Sequence, residues 1–529
     1  MEIMLSKGSI EIYDSTLRDG TQGEGVNLSL ADKLALTQAL DWFGVDFIEG
    51  GWPGSNPKDE AYFAEVKALP LQRAKIAAFG STRRAKVAPA DDDNLRKLAA
   101  SGADVCTIFG KTWDMHVTDA LRVSLDDNLA MIASSVEYLR SVTGRPVFYD
   151  AEHFFDGFRA NPNYALATVE AAFRAGAERL ILCDTNGGSL PEFVTEAIRV
   201  LRLRLPDAVL GIHVHNDGGL AVANTLAAVL AGAVQVQGTV NGVGERCGNA
   251  DLVAVIANLE LKLGRPCLPD GHLRRLTEIS RTVWERINLV PLPHQPFSGR
   301  AAFAHKGGIH VSAVQRNSAT YEHIAPEVVG NERRILISEL SGRSNVQVKL
   351  AAKYPQLKDT AMTKAVLDTI VARENMGYSY EAAETSFELV VRRVVGTLPV
   401  PFQLIHYRIH GLGTPDDNAA LVEATVKVRI GDDTRLTVSE GHGPVDALSQ
   451  ALRLALEPFF PHITQLGLID YKVRVVNSSD GTAAKVRVLI EHRWQGRTLG
   501  TVGVNENIIE ASWEALIEAV EYALADSAG

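Results

Sequence analysis

The chain has few cysteines, and they are not clustered. Cys106, Cys183, Cys247 and Cys267 are the four cysteines among 529 residues, and no two of them stand in a CxxC spacing. This pattern argues against both a disulfide framework and a cysteine zinc site. Cys106 and Cys183 fall within apolar runs, so we expect them to pack in the core, and we expect Cys247 to be a packed thiol.

Long apolar runs and an excess of positive charge are also missing. No stretch reaches the roughly 18 residues that a membrane span needs, and the first 14 residues lack the apolar segment of a secretory signal. Lys and Arg number 53 against 64 Asp and Glu, a net charge of −11. A nucleic-acid binder would show a basic patch. We therefore expect a soluble, cytoplasmic protein that binds neither nucleic acid nor membrane; acidic small-molecule substrates are not excluded.

Short apolar runs alternate with amphipathic helical stretches from residue 9 to about residue 262. Eight strand-like runs alternating with helices over this length predict an α/β fold, a (β/α)₈ TIM barrel. An open doubly wound sheet is the alternative, but no GxGxxG follows the first run, which weakens its dinucleotide-binding version. The runs lie at 10–19, 46–53, 75–80, 104–110, 147–154, 179–187, 209–217 and 234–245.

Two further regions follow the barrel. Residues 300–390 have a mostly helical pattern, whereas alternating strands begin near residue 403 and form two copies of one unit that start at Tyr407 and Tyr471. Each copy has three strands and then a helix, which predicts a C-terminal α+β domain with an internal duplication. The expected domains are a catalytic barrel at 1–265, a helical linker at 266–395 and a regulatory domain at 396–529.

Polar side chains that could carry chemistry cluster at the carboxyl ends of the predicted strands, where TIM barrels place their active sites. His213 and His215 are two apart on a strand and so face the same way. Barrel closure makes strands 7, 8 and 1 neighbours, which brings Asp19 and Asn249 towards this pair. Two imidazoles, a carboxylate and an amide oxygen suit Mg²⁺, Mn²⁺ or Zn²⁺ with open positions. The sequence therefore predicts a divalent metal site.

Other strand ends carry residues with more than one reading. Arg18 forms either a salt bridge at the rim or a cation that holds a carbonyl oxygen where negative charge develops. Glu152 acts as an acid/base or orients a neighbour, and Thr185 is a hydrogen-bond donor rather than a nucleophile. Glu49 belongs to the same set of strand ends and is a candidate substrate contact.

The segment NGVGERCGN (241–249) contains more glycines than a simple turn requires. This composition predicts unusual backbone angles or a close approach to a ligand. We expect Glu245 and Arg246 to form an ion pair that braces the segment.

Three motifs taken together resemble those of a known family. DSTLRDGTQ (14–22), HVHND (213–217) and NGVGERCGN (241–249) are similar to the signature of the metal-dependent TIM-barrel acyltransferases and lyases. That family includes isopropylmalate, homocitrate and citramalate synthases and the hydroxymethylglutaryl-CoA lyases. The likeness continues through FAHKGGIHVSAV (303–314) and the duplicated unit, which is similar to the family's amino-acid-sensing domain, so it covers essentially the whole chain.

The resemblance implies a reaction and roles for residues. EGGWPGSNPKD (49–59) and GVNENIIEASWEAL (503–516) look most like members that condense acetyl-CoA with pyruvate and water, in a pyruvate route to isoleucine. The resemblance also implies a homodimer that senses isoleucine or leucine. The implied metal ligands are Asp19, His213, His215 and Asn249. The implied catalytic residues are Arg18, Glu152, His310 and Tyr321. The implied substrate contacts are Arg18 and Thr185, and Glu49 is a further candidate from its place at a strand end. His310 and Tyr321 would reach into the partner subunit's active site.

Three competing functions stay open at this point. An isopropylmalate synthase would act on the larger 2-oxoisovalerate, and one or two methylenes change specificity by only about 1–3 kcal/mol. A lyase would not need the residues from 400 onward. An inactive amino-acid sensor would not need Asp19, His213, His215, Asn249 and Arg18 to be intact.

Overall fold

The computed structural model describes residues 9–336, 353–412, 421–476 and 484–526. They fall into two compact units: one holds the described residues up to Phe303 together with Ile324–Arg333, and the other holds Ala304–His323 and the described residues from Arg334 onward. The first eight residues lie outside the described part, so the expectation about a secretory segment there is not addressed. The end of the first strand in the second predicted copy, from residue 477, lies outside it too.

The first unit contains a closed barrel of eight parallel strands in sequential order. β1 closes the barrel by pairing with β8, with Glu11 opposite Gln235 and Asp14 opposite Gly238. The TIM-barrel prediction is confirmed, and the open-sheet alternative is wrong. The strands are β1 Glu11–Asp14, β2 Phe47–Gly51, β3 Lys75–Ser81, β4 Val105–Lys111, β5 Val147–Glu152, β6 Arg179–Asp184, β7 Leu210–Val214 and β8 Gln235–Gly238.

Helices surround the barrel, and their ends follow local sequence signals. Ser29 starts α1 with a capping box to Asp32, and Gly44 ends it with a φ of 108° that other residues rarely adopt. The helices are α1 Leu30–Phe43, α2 Pro57–Glu65, α3 Asp93–Ala100, α4 Leu125–Thr143, α5 Phe154–Ala160, α6 Pro162–Arg174, α7 Pro191–Arg204, α8 Ala221–Ala231, α9 Leu252–Leu261 and α10 Leu276–Arg286.

The barrel core extends beyond residue 265. Leu276, Ile279, Val283 and Trp284 of α10 are buried in the same apolar cluster as the strands and the surrounding helices, and so is Phe303. In the described part of the chain, no helix combines the length and the apolar character that crossing a membrane requires.

The second unit begins with short elements and two helices. β9 pairs in parallel with β10, and the helices that follow pack against one another around Val366, Ile370 and Phe387. The elements are β9 Ala304–His305, α11 Gly308–Arg316, β10 Arg334–Ile335, α12 Thr360–Asn375 and α13 Glu384–Val394.

The C-terminal part repeats one arrangement, as predicted. Two antiparallel three-stranded sheets, each followed by a helix, share one apolar core. Alternate residues of each middle strand, such as Val426 and Ile490, point into this core and are fully buried. The elements are β11 Gln403–Leu412, β12 Leu421–Ile430, β13 Asp433–Gly441, α14 Pro444–Leu456, β14 Gly467–Val475, β15 Val486–Trp494, β16 Arg497–Asn505 and α15 Ile508–Asp526.

Candidate active site and metal centre

The interior of the barrel is apolar in one layer and polar towards the carboxyl ends of the strands. Buried side chains of β1 to β6 form the apolar layer: Tyr13, Phe47, Ala77, Val105, Phe148 and Ile181, with Cys183 packed against them one inward position further along β6. In parallel strands the next inward position lies two residues further along the chain. The side chains beyond this layer therefore meet at one rim, where loops from all strands begin.

Three predicted metal ligands meet at this rim. Asp19 Oδ2 lies 3.3 Å from His213 Nε2 and 3.9 Å from His215 Nε2, and all three residues are buried. The two Nε2 atoms are 3.4 Å apart. The three residues each offer one ligand atom within 4.8 Å of the others. One carboxylate oxygen and two imidazole nitrogens around a common point form the donor set of a divalent cation.

Two oxygen atoms at this place have no hydrogen-bond partner. Asn249 is paired with His215 through a backbone bridge, which brings the β8 loop beside β7. Asn249 Oδ1 and Asp19 Oδ1 are both buried and accept no hydrogen bond from any described residue. Buried polar atoms are normally satisfied, so these oxygens fit a site that a cation completes.

The charges around Asp19 keep it ionised. Burial alone would raise the pKa of Asp19, but Arg18, His213 and His215 together hold it well below its ordinary value. Burial, followed by the charge of His213, lowers the pKa of His215 to about 4. His215 is therefore neutral near pH 7, which leaves a ring nitrogen free to bind a metal.

Arg18 is held rigidly beside the three ligands. Its Nε donates to Glu49 Oε2 at 2.6 Å, and its Nη1 lies 3.3 Å from Asp19 Oδ2. The guanidinium carbon stacks 3.8 Å above the centre of the Phe79 ring. Arg18 thus forms the salt bridge of the first reading. It also keeps a planar cation next to the candidate metal site, and its action on a carbonyl oxygen stays a prediction.

Glu49 is fully buried, and its carboxylate is already engaged. It accepts hydrogen bonds from the Tyr13 hydroxyl at 2.9 Å, from the Ser15 hydroxyl and from Arg18. The sequence predicts Glu49 as a substrate contact. The geometry instead favours a residue that orients Arg18, together with Tyr13 and Ser15, which the sequence pattern does not mark as site residues.

Glu152 and Thr185 lie at neighbouring strand ends. The Glu152 carboxylate forms an ion pair with Lys111 at the end of β4, and its side chain is 23% exposed. The Thr185 hydroxyl accepts the backbone N–H of His153 at 2.9 Å. Lys111 is not among the residues predicted from the sequence, although its position at the end of β4 is a signal that marks it.

The glycine-rich loop after β8 has the unusual backbone angles that its composition predicts, since Gly242 and Gly248 have φ angles of 68° and 83°. The loop is also crowded. A Cβ on Gly248 would lie 1.9 Å from the carbonyl oxygen of Gly242, and one on Gly244 would lie 2.2 Å from Asn249 Nδ2. Arg246 pairs with Glu245 at 3.3 Å, as expected, and also donates to Asp217 at 2.8 Å. These contacts fix the loop that carries Asn249.

His310 and Tyr321 belong to the second unit, where the structure brings them together. Their ring centroids are 4.1 Å apart, and both side chains are exposed. His305 Nε2 and Glu322 Oε1 are 3.0 Å apart just behind them, and Glu322 is buried. The two residues thus form a surface pair on a short braced segment.

Comparison with known families agrees with this geometry. Residues 9–283 match the family model described as HMGL-like, just over half of the chain. Residues 297–374 match a homocitrate synthase post-HMGL domain-like model, and residues 381–524 match the LeuA allosteric (dimerisation) domain.

Curated relatives match along nearly the full length. A protein of Geobacter sulfurreducens named (R)-citramalate synthase is 51% identical over 522 residues, 97% of this chain and 97% of the relative. Proteins of the same name from Synechocystis sp. and Aquifex aeolicus are 52% and 50% identical, covering 98% and 97% of this chain and 96% and 98% of their own lengths.

Proposed function

The chain belongs to the HMGL-like family and, over nearly its full length, to the group of (R)-citramalate synthases, and from this premise we propose that it condenses acetyl-CoA with pyruvate and water to release (R)-citramalate and free CoA. The observation that carries the proposal is the convergence of Asp19, His213 and His215 beside the immobilised Arg18. An inactive sensor would have no need for this arrangement.

Asp19, His213, His215 and Asn249 are the proposed ligands of a divalent ion, Mg²⁺, Mn²⁺ or Zn²⁺. The unpartnered oxygens of Asp19 and Asn249 and the neutral ring of His215 support this assignment. When bound, such an ion polarises the ketone of a 2-oxo acid as a Lewis acid.

Arg18 is the proposed stabiliser of the charge that develops on the ketone oxygen. Glu49 keeps the guanidinium in place, so the cation needs no reorganisation during the reaction. Thr185 directly follows β6 at the same rim. It is the proposed contact for the carboxylate of the 2-oxo acid.

Glu152 is the proposed base. It removes a proton from the methyl group of acetyl-CoA, and the resulting enolate carbon attacks C2 of pyruvate, whose ketone oxygen takes up a proton. Water then cleaves the thioester, and CoA leaves as the free thiol. Lys111 forms an ion pair with the Glu152 carboxylate and so helps to hold it at the rim.

His310 and Tyr321 are proposed to complete the active site of the partner subunit in a homodimer. Their exposure and mutual stacking on a braced segment suit residues that act outside their own unit. The sensing of isoleucine or leucine by the C-terminal domain and a cytoplasmic location are parts of the same proposal. So is a division into a catalytic barrel, a linker and a regulatory domain, with the first boundary beyond residue 265 because α10 packs in the barrel core.

An aromatic cluster beside Arg18 favours the smaller 2-oxo acid. Trp52, Phe79 and Phe109 pack with ring centroids 5.4–5.9 Å apart, and Phe79 lies under the guanidinium. Trp52 Nε1 donates to Asn94 at 2.7 Å, which fixes the cluster. A rigid wall of three rings suits the methyl group of pyruvate better than the branched side chain of 2-oxoisovalerate.

The test is CoA release from acetyl-CoA with pyruvate, 2-oxobutyrate, 2-oxoisovalerate or 2-oxoglutarate as acceptor. We expect the highest kcat/KM with pyruvate. The highest value with 2-oxoisovalerate would mean that the chain is an isopropylmalate synthase instead. Inhibition by isoleucine or leucine in the same assay tests the regulatory part of the proposal.

A further inference from the structure

Gln237 lies inside the barrel next to a proposed metal ligand. It is fully buried on β8, and it stands directly opposite His213 in the ladder that joins β7 to β8. The Gln237 Oε1 atom lies 3.1 Å from His213 Nδ1. Because His213 is buried as well, this contact is shielded from water.

The contact decides which ring nitrogen of His213 carries the hydrogen. An amide oxygen can only accept, so Nδ1 must be the donor. In a neutral imidazole, Nε2 then has the free lone pair, and Nε2 is the atom that lies 3.3 Å from Asp19 and 3.4 Å from His215. The tautomer that suits the hydrogen bond is thus the one that can bind a metal.

If the Gln237 amide were turned around, its NH₂ group would face His213 Nδ1, and Nδ1 could no longer be the donor. A neighbouring group must therefore hold the amide in the orientation described. Asp150 is the inward-pointing buried carboxyl on β5. Burial raises the pKa of Asp150 to about 7, and the Gln237 side chain opposes this shift. Gln237 Nε2 and Asp150 Oδ1 are both buried and form no full hydrogen bond with any described residue. A carboxyl on that side favours the amide nitrogen there, which leaves the amide oxygen for His213.

We propose that Gln237 is a positioning residue for the metal, because it holds His213 in the tautomer and orientation that present Nε2 to the ion. This inference rests on the proposed metal site at Asp19, His213 and His215. Partners that orient a ligating histidine typically contribute about 10- to 100-fold to metal affinity.

Gln235 offers a matched control. It is the same residue type on the same strand, points the same way two residues earlier and is also fully buried. Its amide donates to Glu11 at 3.0 Å in the layer at the other end of the barrel, where Arg179 pairs with Glu11 as well. A substitution at Gln235 therefore disturbs a buried inward glutamine without touching His213.

The experiment measures Mn²⁺ affinity by calorimetry on metal-free full-length protein. Variants are Gln237→Met, Gln237→Glu, Gln235→Met and His213→Ala, each with its melting temperature. We expect Gln237→Met to bind Mn²⁺ about 10- to 100-fold more weakly than wild type. Gln235→Met should keep the wild-type Mn²⁺ affinity. Gln237→Glu retains an acceptor for His213 Nδ1 and should recover most of that affinity.

Wild-type affinity in Gln237→Met would overturn the inference. If Gln237→Met does not fold, Gln237→Glu decides, because a folded glutamate variant with the affinity of His213→Ala would also overturn it. The His213→Ala arm separates this failure from failure of the metal site itself. Equal binding by wild type and His213→Ala would refute the metal site, whatever Gln237 does.

Discussion

The coupling between Arg18 and Glu49 is the sharpest test of how the site works. Arg18→Met removes a cation aimed at the developing oxyanion, a kind of donor whose loss costs about 2.7–4 kcal/mol, or about 10²- to 10³-fold in rate. Glu49→Gln keeps the shape but removes the charge that accepts from Arg18 Nε at 2.6 Å. A hydrogen bond to a charged group contributes about 1.5–3 kcal/mol, which corresponds to about 10- to 150-fold in kcat/KM.

If the two residues acted independently, the double variant would lose the sum of these values, about 4–7 kcal/mol. We expect instead that Glu49 acts through Arg18, so the double variant should lose no more than Arg18→Met alone. The assay measures kcat/KM for CoA release with pyruvate in a double-mutant cycle of wild type, the two single variants and the double variant. Glu11→Gln, which disturbs the inward Glu11–Arg179 pair at the opposite end of the barrel, is the control and should leave kcat/KM unchanged. Additive losses in the cycle would refute this role for Glu49.

Three other predictions follow from the same structure. Gly248→Ala should weaken Mn²⁺ binding in calorimetry, because its Cβ would lie 1.9 Å from the Gly242 oxygen and displace the loop of Asn249; unchanged affinity would mean that this crowding is harmless. Lys33→Met should lower stability by about 3–5 kcal/mol, since the buried Asp59 carboxylate keeps the Trp52 N–H but loses its counter-charge 2.5 Å away. Thermal melting should show the loss, and a melting temperature equal to that of wild type would contradict it. Burial lowers the pKa of His492 to about 4 in the folded protein, whereas the unfolded chain keeps the ordinary value of about 6.5. As pH falls, the unfolded state therefore takes up the proton first, and the free energy of unfolding decreases by about 3 kcal/mol between about pH 6.5 and pH 4. His492→Leu should reduce the fall in melting temperature between pH 7 and pH 5, and an identical fall in the variant would refute this cause.

The barrel and its rim could be predicted because they depend on chain geometry alone. Parallel strands place their carboxyl ends at one rim, and closure makes strands 7, 8 and 1 neighbours. Asp19, His213 and His215 follow from these two rules without any knowledge of side-chain contacts. The number of glycines in the loop after β8 predicts unusual backbone angles or a close approach to a ligand, and Gly242 and Gly248 do have positive φ angles of 68° and 83°.

Residues that orient the site were harder to predict. Tyr13 and Gln237 lie within strands whose two faces are both buried, so polar and apolar positions show little contrast along the sequence. Glu49 looked like a rim residue, yet its partners Tyr13, Ser15 and Arg18 come from a different strand and its following turn. Such pairings depend on the stagger of the barrel, which the sequence alone does not specify. The predicted strands also extend too far along the chain. The first run is expected to reach residue 19, but β1 ends at Asp14, and a turn then carries Asp19.

The most direct measurement is the rate of CoA release from acetyl-CoA and pyruvate by protein stripped of metal with a chelator, before and after Mn²⁺ is added back. We expect no turnover in the stripped protein, recovery with Mn²⁺, and no recovery in His213→Ala. Full activity in the stripped protein, or recovery in His213→Ala, would contradict the central claim that Asp19, His213 and His215 hold the ion on which the condensation depends.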